Sequence, residues 1–316
     1  MTCLRCSHGT AKRFGYYGRR RIQRYRCRSC SATFTLPREK ILGSHTLDVG
    51  KAIQIVKMLM EGMGVRSVSR LTGVHKATIL SLLVTVGRKC QDLLDSKIRG
   101  LRPWHVELDE TWTFVHTKEK HLRSDDPAEW GDQYVWVALD STTRLIICHR
   151  VGKRDTSNAL TFVRDLSERT IGRFQITTDA LRAYIPAVYR HFGLDVDMAQ
   201  LVKTYGRPDS EGPHWYGPPV VLRATPTPVI GHPRLDIAST SYVERSNLSF
   251  RTSLRRFTRL CLGFSKKLEN LKATVSLYCA WYNLCRCHST LGMTPAMASH
   301  IADHAWSVEE LISTGV

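Results

Sequence analysis

The sequence lacks the features of a membrane protein or an exported protein. It contains no run of eighteen apolar residues, so it offers no candidate for a membrane-spanning helix. Met1 is followed at once by Thr2 and Cys3, which leaves no room for a signal peptide ahead of the first cysteine. We therefore expect a reducing, cytoplasmic setting, in which the ten cysteines do not form a disulfide framework.

Acidic residues are also scarce. The 316 residues include 28 Asp and Glu against 46 Lys and Arg, a formal net charge of +18, while 42% hydrophobic residues indicate a folded chain with room for two or three domains. Residues 1–40 hold eleven Lys or Arg and a single acid, Glu39. Because no long amphipathic or lipidation signal accompanies this charge, it favours nucleic acid over a membrane surface as the partner.

Four cysteines near the start of the chain form two C-x2-C pairs separated by twenty residues: Cys3, Cys6, Cys27 and Cys30. Four thiolates in two tight turns can close a tetrahedral zinc site, whereas a redox pair would require one C-x2-C within a βαβ pattern. The segment between the pairs predicts a hairpin that turns near Gly18, followed by a third strand over 31–35. We predict a zinc ribbon over residues 1–42, stabilised by one structural Zn²⁺.

Residues 43–100 have helical periodicity and predict an all-α helix-turn-helix domain. A short helix near 65–71 is followed by a tight turn, TGV at 72–74, and by another helix. An ordinary helical hairpin is the alternative. The second helix would present four residues to a DNA major groove: His75, Lys76, Thr78 and Ser81. The charged stretch 89–101 is interpreted as a linker to the next domain.

From residue 101 the pattern changes to strands alternating with helices. Three strands, a helix, a strand, a helix and a strand predict an α/β domain over 101–316 with a mixed sheet. Residues 205–240 contain seven prolines and are interpreted as an insertion with at most a small hairpin. Two helices are predicted after it, over 241–263 and 265–286.

Three carboxylates stand out by position in this domain. Asp109 lies in the first strand, Asp179 closes a later strand, and Glu244 begins the helix after the insertion. If they converge, they could hold two Mg²⁺ ions about 3.5–4 Å apart, as phosphoryl transfer requires. Alternatives remain open: Asp179 could cap a helix, Glu244 could form a capping box with Ser241, and Glu107 shares a strand face with Asp109.

The helix that carries Glu244 is rich in arginine. On a helical wheel, Arg251 and Arg255 each lie within about 20° of Glu244, which suits a metal ligand held against a phosphate backbone. We predict phosphate contacts for Arg245, Arg251 and Arg255. Asn247 and His288 are predicted to support the site, with helix packing or capping as the alternative.

Several blocks spread over nearly the whole chain resemble transposases of the bacterial insertion sequence one family. The blocks are QRYRCRSC at 23–30, ELDETW at 107–112, TTDALRAY at 177–184, TSYVERSN at 240–247, RRFTRL at 255–260, YN at 282–283, and His288 through TPAM at 294–297. The resemblance implies an RNase H-like catalytic core whose DDE triad is Asp109, Asp179 and Glu244. It selects Asp109 over Glu107. The CRCH motif at 285–288 departs from relatives, which carry bulkier apolar residues before the histidine.

The resemblance also implies a function. A DDE transposase would bind double-stranded DNA at the terminal inverted repeats of its own insertion sequence, cleave it with two Mg²⁺ or Mn²⁺ ions, and transfer the strand to target DNA. We expect a homodimer or larger assembly on DNA, in the bacterial cytoplasm and associated with the nucleoid. The rival hypotheses are a zinc-dependent transcriptional regulator, which would not need three acids, and an RNase H-like nuclease acting in trans.

Overall fold

The structure is a computed structural model that describes residues 1–18, 21–36, 42–43, 45–206, 220–258 and 261–314. The chain divides into two compact units, Met1–Ser44 and His45–Val316. Among the described helices, none combines the length and the apolar character that crossing a membrane requires.

The N-terminal unit is a three-stranded antiparallel sheet of β1 (Ala11–Tyr17), β2 (Ile22–Cys27) and β3 (Thr33–Thr35), in the order β1-β2-β3. It has the predicted hairpin and third strand. Most of its strand residues are exposed or half-buried, whereas Cys3 and Cys27 are buried. A unit with so little apolar core depends on another source of stability, and the cysteine cluster is placed to provide it.

Three helices open the second unit: α1 (Val49–Met60), α2 (Val65–Thr72) and α3 (Lys76–Lys97). Gly73 ends α2 with φ +69°, a left-handed conformation that glycine adopts without strain. His75 begins α3, and its side chain accepts a hydrogen bond from the backbone N–H of Ala77. The helices therefore lie where the sequence predicts them, while their role in reading DNA stays a prediction.

Helix α3 corrects the predicted linker over 89–101. It continues to Lys97, and its second half buries Cys90, Leu93 and Leu94 while the charged residues face outward. It packs on α7 (Leu268–Leu284) so closely that a Cβ at Gly87 would lie 2.3 Å from the carbonyl oxygen of Ala273. Residues 45–100 are consequently part of the same compact unit as the sheet.

The centre of the second unit is a six-stranded mixed sheet in the order β6-β5-β4-β7-β8-β9. Strand β4 is antiparallel to β5 and parallel to β7, β8 is parallel to β7, and β9 is antiparallel to β8. This mixed α/β arrangement is consistent with the RNase H-like domain that the family resemblance implies. The strands are β4 (His105–Val115), β5 (Gly131–Asp140), β6 (Ile146–Gly152), β7 (Gln175–Asp179), β8 (Asp197–Gly206) and β9 (Val220–Ile230).

Helices cover both faces of this sheet. On one face, Trp136 of β5 packs its ring 5.6 Å from that of Tyr184 and 6.0 Å from that of Phe162. On the other, Phe250 and Tyr278 pack with their rings 4.4 Å apart. The remaining helices are α4 (Thr156–Arg169), α5 (Tyr184–Phe192), α6 (Ser241–Ser253), α8 (Pro295–Ala298) and α9 (Val308–Ser313).

Strand β9 corrects the interpretation of residues 205–240. Instead of a small hairpin, residues 220–230 form one strand paired with β8, with no further strand beyond it among the described residues. An edge position explains how Pro226 and Pro228 are tolerated, because the outer side of an edge strand needs no ladder hydrogen bonds. Residues 207–219 of the predicted insertion lie outside the described residues.

Helix α6 is shorter than predicted. It ends at Ser253, Leu254 is extended, and a 3₁₀ turn follows over Arg255–Phe257. The turn brings the buried Phe257 within 5.8 Å of the Phe250 ring. Arg255 is therefore not on the helical face that carries Glu244, and the continuous basic face predicted through Arg255 does not form.

Candidate metal-binding active site

Two neighbouring parallel strands bring Asp109 and Asp179 together. Leu108 of β4 pairs with Thr178 of β7, so the residues that follow them lie side by side where β7 ends. Glu110 joins this pair: one carboxylate oxygen from each of the three acids lies within 4.8 Å of the others. We call Asp109, Glu110 and Asp179 the acidic cluster.

Glu110 and Asp179 are held by polar neighbours. The buried Glu110 carboxylate accepts hydrogen bonds from the Tyr184 hydroxyl at 2.8 Å and from Arg154 Nε at 2.6 Å. The Arg154 guanidinium also reaches Asp179 Oδ2 at 3.5 Å. Asp179 Oδ1 accepts the backbone N–H of Leu181 at 3.0 Å. Because α5 begins only at residue 184 and its N-cap is Ala183, Asp179 does not cap that helix, and its role as a metal ligand stays a prediction.

Asp109 is positioned from the other side of the sheet. Its Oδ2 accepts a hydrogen bond of 2.7 Å from Asn247 Nδ2 on α6. Burial, together with the charges of Glu110 and Asp179, raises the pKa of Asp109 to about 7. Burial also raises the pKa of Glu110, with Asp179 adding to the effect. Crowded carboxylates of this kind gain free energy when a cation neutralises them, and an all-oxygen donor set suits Mg²⁺ or Mn²⁺.

Glu244 lies in the first turn of α6 but, among the described residues, is not part of the acidic cluster. Its carboxylate instead accepts hydrogen bonds from the Lys203 ammonium and the Thr240 hydroxyl. Thr240, not Ser241, is the N-cap residue, and the capping box with Ser241 does not form. The structure thus brings together two of the three predicted acids, and Glu244 as a metal ligand stays a prediction.

Glu107 anchors α6 to the strand that carries Asp109. It is fully buried, and its Oε2 accepts the backbone N–H groups of Tyr242 at 2.8 Å and Val243 at 2.9 Å. A carboxylate at this position satisfies two unpaired donors and interacts favourably with the helix dipole. Glu107 is therefore bonded to the helix, whereas Asp109, two residues further along β4, belongs to the acidic cluster and bonds Asn247.

His288, predicted to support the site, lies just after α7. It is half-buried, its backbone N–H bonds the carbonyl of Met293, and its Nδ1 has no hydrogen-bond partner within the described chain. Burial lowers the pKa of His288, and Arg144, Arg286 and Arg245 add to the effect. The imidazole is thus kept neutral beside several arginines; its role in the site stays a prediction.

The four N-terminal cysteines have the geometry of a zinc site. Their sulfur atoms all lie within 4.8 Å of one another, with Sγ–Sγ distances of 3.7 Å for Cys3–Cys30 and 3.6 Å for Cys6–Cys27. A tetrahedral ion with Zn–S bonds of about 2.3 Å places its sulfurs about 3.8 Å apart. The N–H of Arg5 donates to Cys3 Sγ, which favours the thiolate that a metal requires.

The residues predicted to contact DNA are mostly at the surface. On and after α6, Arg245 and Arg255 are exposed and Arg251 is half-buried. At the start of α3, His75, Lys76 and Ser81 are exposed and Thr78 is half-buried. Exposure makes these side chains available to a phosphate backbone or a groove, and contact with DNA stays a prediction.

Sequence reasoning missed four residues around the acids. Glu110 stands in the ELDETW block but received no role, because consecutive strand residues point to opposite faces. Tyr184 ends the TTDALRAY block at 177–184, whereas Arg154 and Lys203 stand in no motif. Only the sheet topology shows that these three residues reach the acids. The one sequence signal that could have identified Glu110 is its position directly after Asp109 in the block at 107–112.

No family model and no curated protein sequence matches this chain. Solved structures similar to it include a piggyBac transposase synaptic complex with hairpin DNA, at 12% identity over 87% of this chain and 72% of that one, TM-score 0.38. Another is a simian T-cell lymphotropic virus intasome, at 14% identity, 79% and 74% coverage, TM-score 0.35. A Mos1 mariner paired-end complex with Mn has 10% identity, 88% and 79% coverage, TM-score 0.29.

Proposed function

We propose that this chain is a DDE-type DNA transposase, similar to those of the insertion sequence one family, that cleaves the inverted-repeat ends of its own element and joins them to target DNA. The observation that carries the proposal is the acidic cluster of Asp109, Glu110 and Asp179 at the end of β7. It occurs in a chain with a net charge of +18, which is suited to a polyanionic substrate.

In the proposed enzyme Asp109 and Asp179 hold Mg²⁺ or Mn²⁺, with Glu110 or Glu244 completing the donor set. Bound divalent ions would supply charge neutralisation at the scissile phosphate and a more acidic water. The protein's own contribution is positioning. Asn247 fixes the Asp109 carboxylate through its 2.7 Å hydrogen bond, and Glu107 fixes the helix that carries Asn247.

Binding of DNA would involve separate parts of the chain. Arg245, Arg251 and Arg255 would bind phosphates near the scissile bond, where their charge lowers the cost of bringing a polyanion to a cluster of acids. The zinc ribbon would add affinity for the backbone without reading sequence. The residues at the start of α3 would read the repeats: His75, Lys76, Thr78 and Ser81. Because two ends must be joined, a dimer or larger assembly is expected on DNA.

Asp179→Asn tests the proposal with DNA that carries the repeats flanking the gene. The change keeps the shape of the side chain and removes its charge, so cleavage and strand transfer in Mg²⁺ should fall by about three orders of magnitude, equivalent to about 4 kcal/mol of transition-state stabilisation. Asp236→Asn is the matched control, since Asp236 is an exposed acid paired with Arg234. Undiminished strand transfer by Asp179→Asn would refute the assignment of Asp179 to the active site. If the wild-type protein cleaves the DNA but does not join it to a target, a nuclease acting in trans is favoured.

A further inference from the structure

Lys203 lies at the end of the sheet where the acidic cluster forms. On β8, Leu201 pairs with Asp179, so Lys203 is two residues further along and on the same face, about 7 Å beyond it. Its ammonium donates to the Glu244 carboxylate and lies 3.4 Å from the Thr240 hydroxyl. The Lys203 side chain is only 18% exposed, so this contact is partly shielded from water.

Glu244 is close to the acidic cluster although it does not belong to it. Glu244 and Asn247 are three residues apart on α6 and therefore lie on neighbouring positions of one helical face. Asn247 is hydrogen-bonded to Asp109, so Glu244 lies about one helical turn from a residue that contacts the cluster. A rotation of its side chain, without movement of the helix, is the kind of change that would bring its carboxylate towards the cluster.

The protein supplies its own cations to these acids. Arg154 is bonded to Glu110 and Asp179, and Lys203 is bonded to Glu244. The Thr240 hydroxyl donates to the same Glu244 oxygen that Lys203 binds. A divalent cation that took this oxygen as a ligand would have to displace both donors, and it would repel the ammonium at short range.

We propose that Lys203 is a positioning residue that holds Glu244 away from the acidic cluster in the metal-free protein and competes for its carboxylate with a divalent cation. The inference rests on the proposed function, because it takes the acidic cluster to be a metal site. Lys203 then sets how tightly the weaker of two divalent ions is bound.

Lys203→Met removes the ammonium and keeps an apolar stem of similar length. The affinity of the weaker Mn²⁺ site should rise about fivefold, the factor equivalent to an ion pair of about 1 kcal/mol. Lys203→Arg keeps a cation and should stay within about twofold of wild type. Lys153→Met is the matched control, because Lys153 forms a similar ion pair, with an N–O distance of 2.8 Å, to Glu119, an acid outside the cluster.

The experiment is a Mn²⁺ titration of the full-length protein without DNA, followed by electron paramagnetic resonance of the free ion. Tighter weak-site binding in Lys203→Met, with Lys203→Arg and Lys153→Met like wild type, supports the proposal. Loss of that site in Glu244→Gln supports it further. If Lys203→Met binds Mn²⁺ at the weaker site no more tightly than wild type, while Asp109→Asn still loses the strong site, the role of Lys203 is overturned and the proposed function is not. Equal Mn²⁺ binding by wild type and Asp109→Asn overturns the proposed function and this inference with it.

Discussion

Replacing Gly87 with alanine should separate two helices that pack in backbone contact. A Cβ at this position would lie 2.3 Å from the carbonyl oxygen and 2.6 Å from the Cα of Ala273. Both atoms belong to the backbone of α7, so no change of rotamer can relieve the overlap. Helix α3 would have to move by about 1 Å to restore ordinary contact distances.

The size of the effect follows from two opposing contributions. Alanine in the interior of a helix is favoured over glycine by about 1 kcal/mol. Overpacking of a well-packed contact costs about 1–3 kcal/mol, and displacement of α3 would also weaken the hydrogen bond of 2.8 Å between Ser276 and Gln91. We expect a net loss of about 2 kcal/mol in the free energy of unfolding, which lowers Tm by about 4–8 °C for a protein of this size.

Thermal unfolding followed by circular dichroism measures the effect. Gly50→Ala is the matched control, because its nearest neighbour would be the flexible carboxylate of Asp48 at 3.1 Å and not a backbone atom. This variant should stay within about 1 kcal/mol of wild type. If Gly87→Ala is as stable as Gly50→Ala, α3 does not pack on α7 in the described way, and the integration of residues 45–100 with the sheet is refuted.

Three further predictions concern the zinc site, the acidic cluster and a half-buried histidine, His149. Cys27→Ser, or removal of zinc by a chelator, should abolish the folded N-terminal unit and leave the unfolding of the second unit unchanged, which limited proteolysis and zinc release would show. Asn247→Leu should lower kcat by about 10- to 100-fold with little effect on KM, because it frees the Asp109 carboxylate to rotate; steady-state cleavage kinetics would detect it. Burial lowers the pKa of His149 to about 4, so the folded state disfavours its protonation, and stability present above pH 6.5 should be lost as the pH falls towards 4. His149→Gln should reduce this loss in urea titrations at successive pH values, and an unchanged pH profile would contradict the prediction.

The elements that the sequence predicts well are those determined by local spacing. The zinc site is predictable because each pair of cysteines lies within one tight turn: Cys3 with Cys6, and Cys27 with Cys30. Asp179 could be placed at the end of a strand from the local pattern, whereas the choice of Asp109 over Glu107 came from the family resemblance.

The elements that it does not predict depend on contacts distant in the chain. Residues 89–101 resemble a linker because the sequence shows their charges. The sequence does not show that the surface of α7 covers Cys90 and Leu94. Lys203 reaches Glu244 only because β8 lies beside β7 and α6 packs over the sheet. Glu110 points to the opposite face from Asp109 in an ideal strand, yet an oxygen of each carboxylate lies within 4.8 Å of the other and of Asp179, where β7 ends.

We propose that the acidic cluster binds a divalent cation used for DNA cleavage and joining. Iron-mediated cleavage of the protein backbone detects such binding: Fe²⁺ replaces Mg²⁺, and ascorbate with peroxide generates radicals that cut the chain next to the ion. We expect fragments that end near residues 109 and 179, suppressed by excess Mg²⁺ and absent in Asp109→Asn. Cuts elsewhere in the second unit, or cuts at these positions that persist in Asp109→Asn, would contradict it.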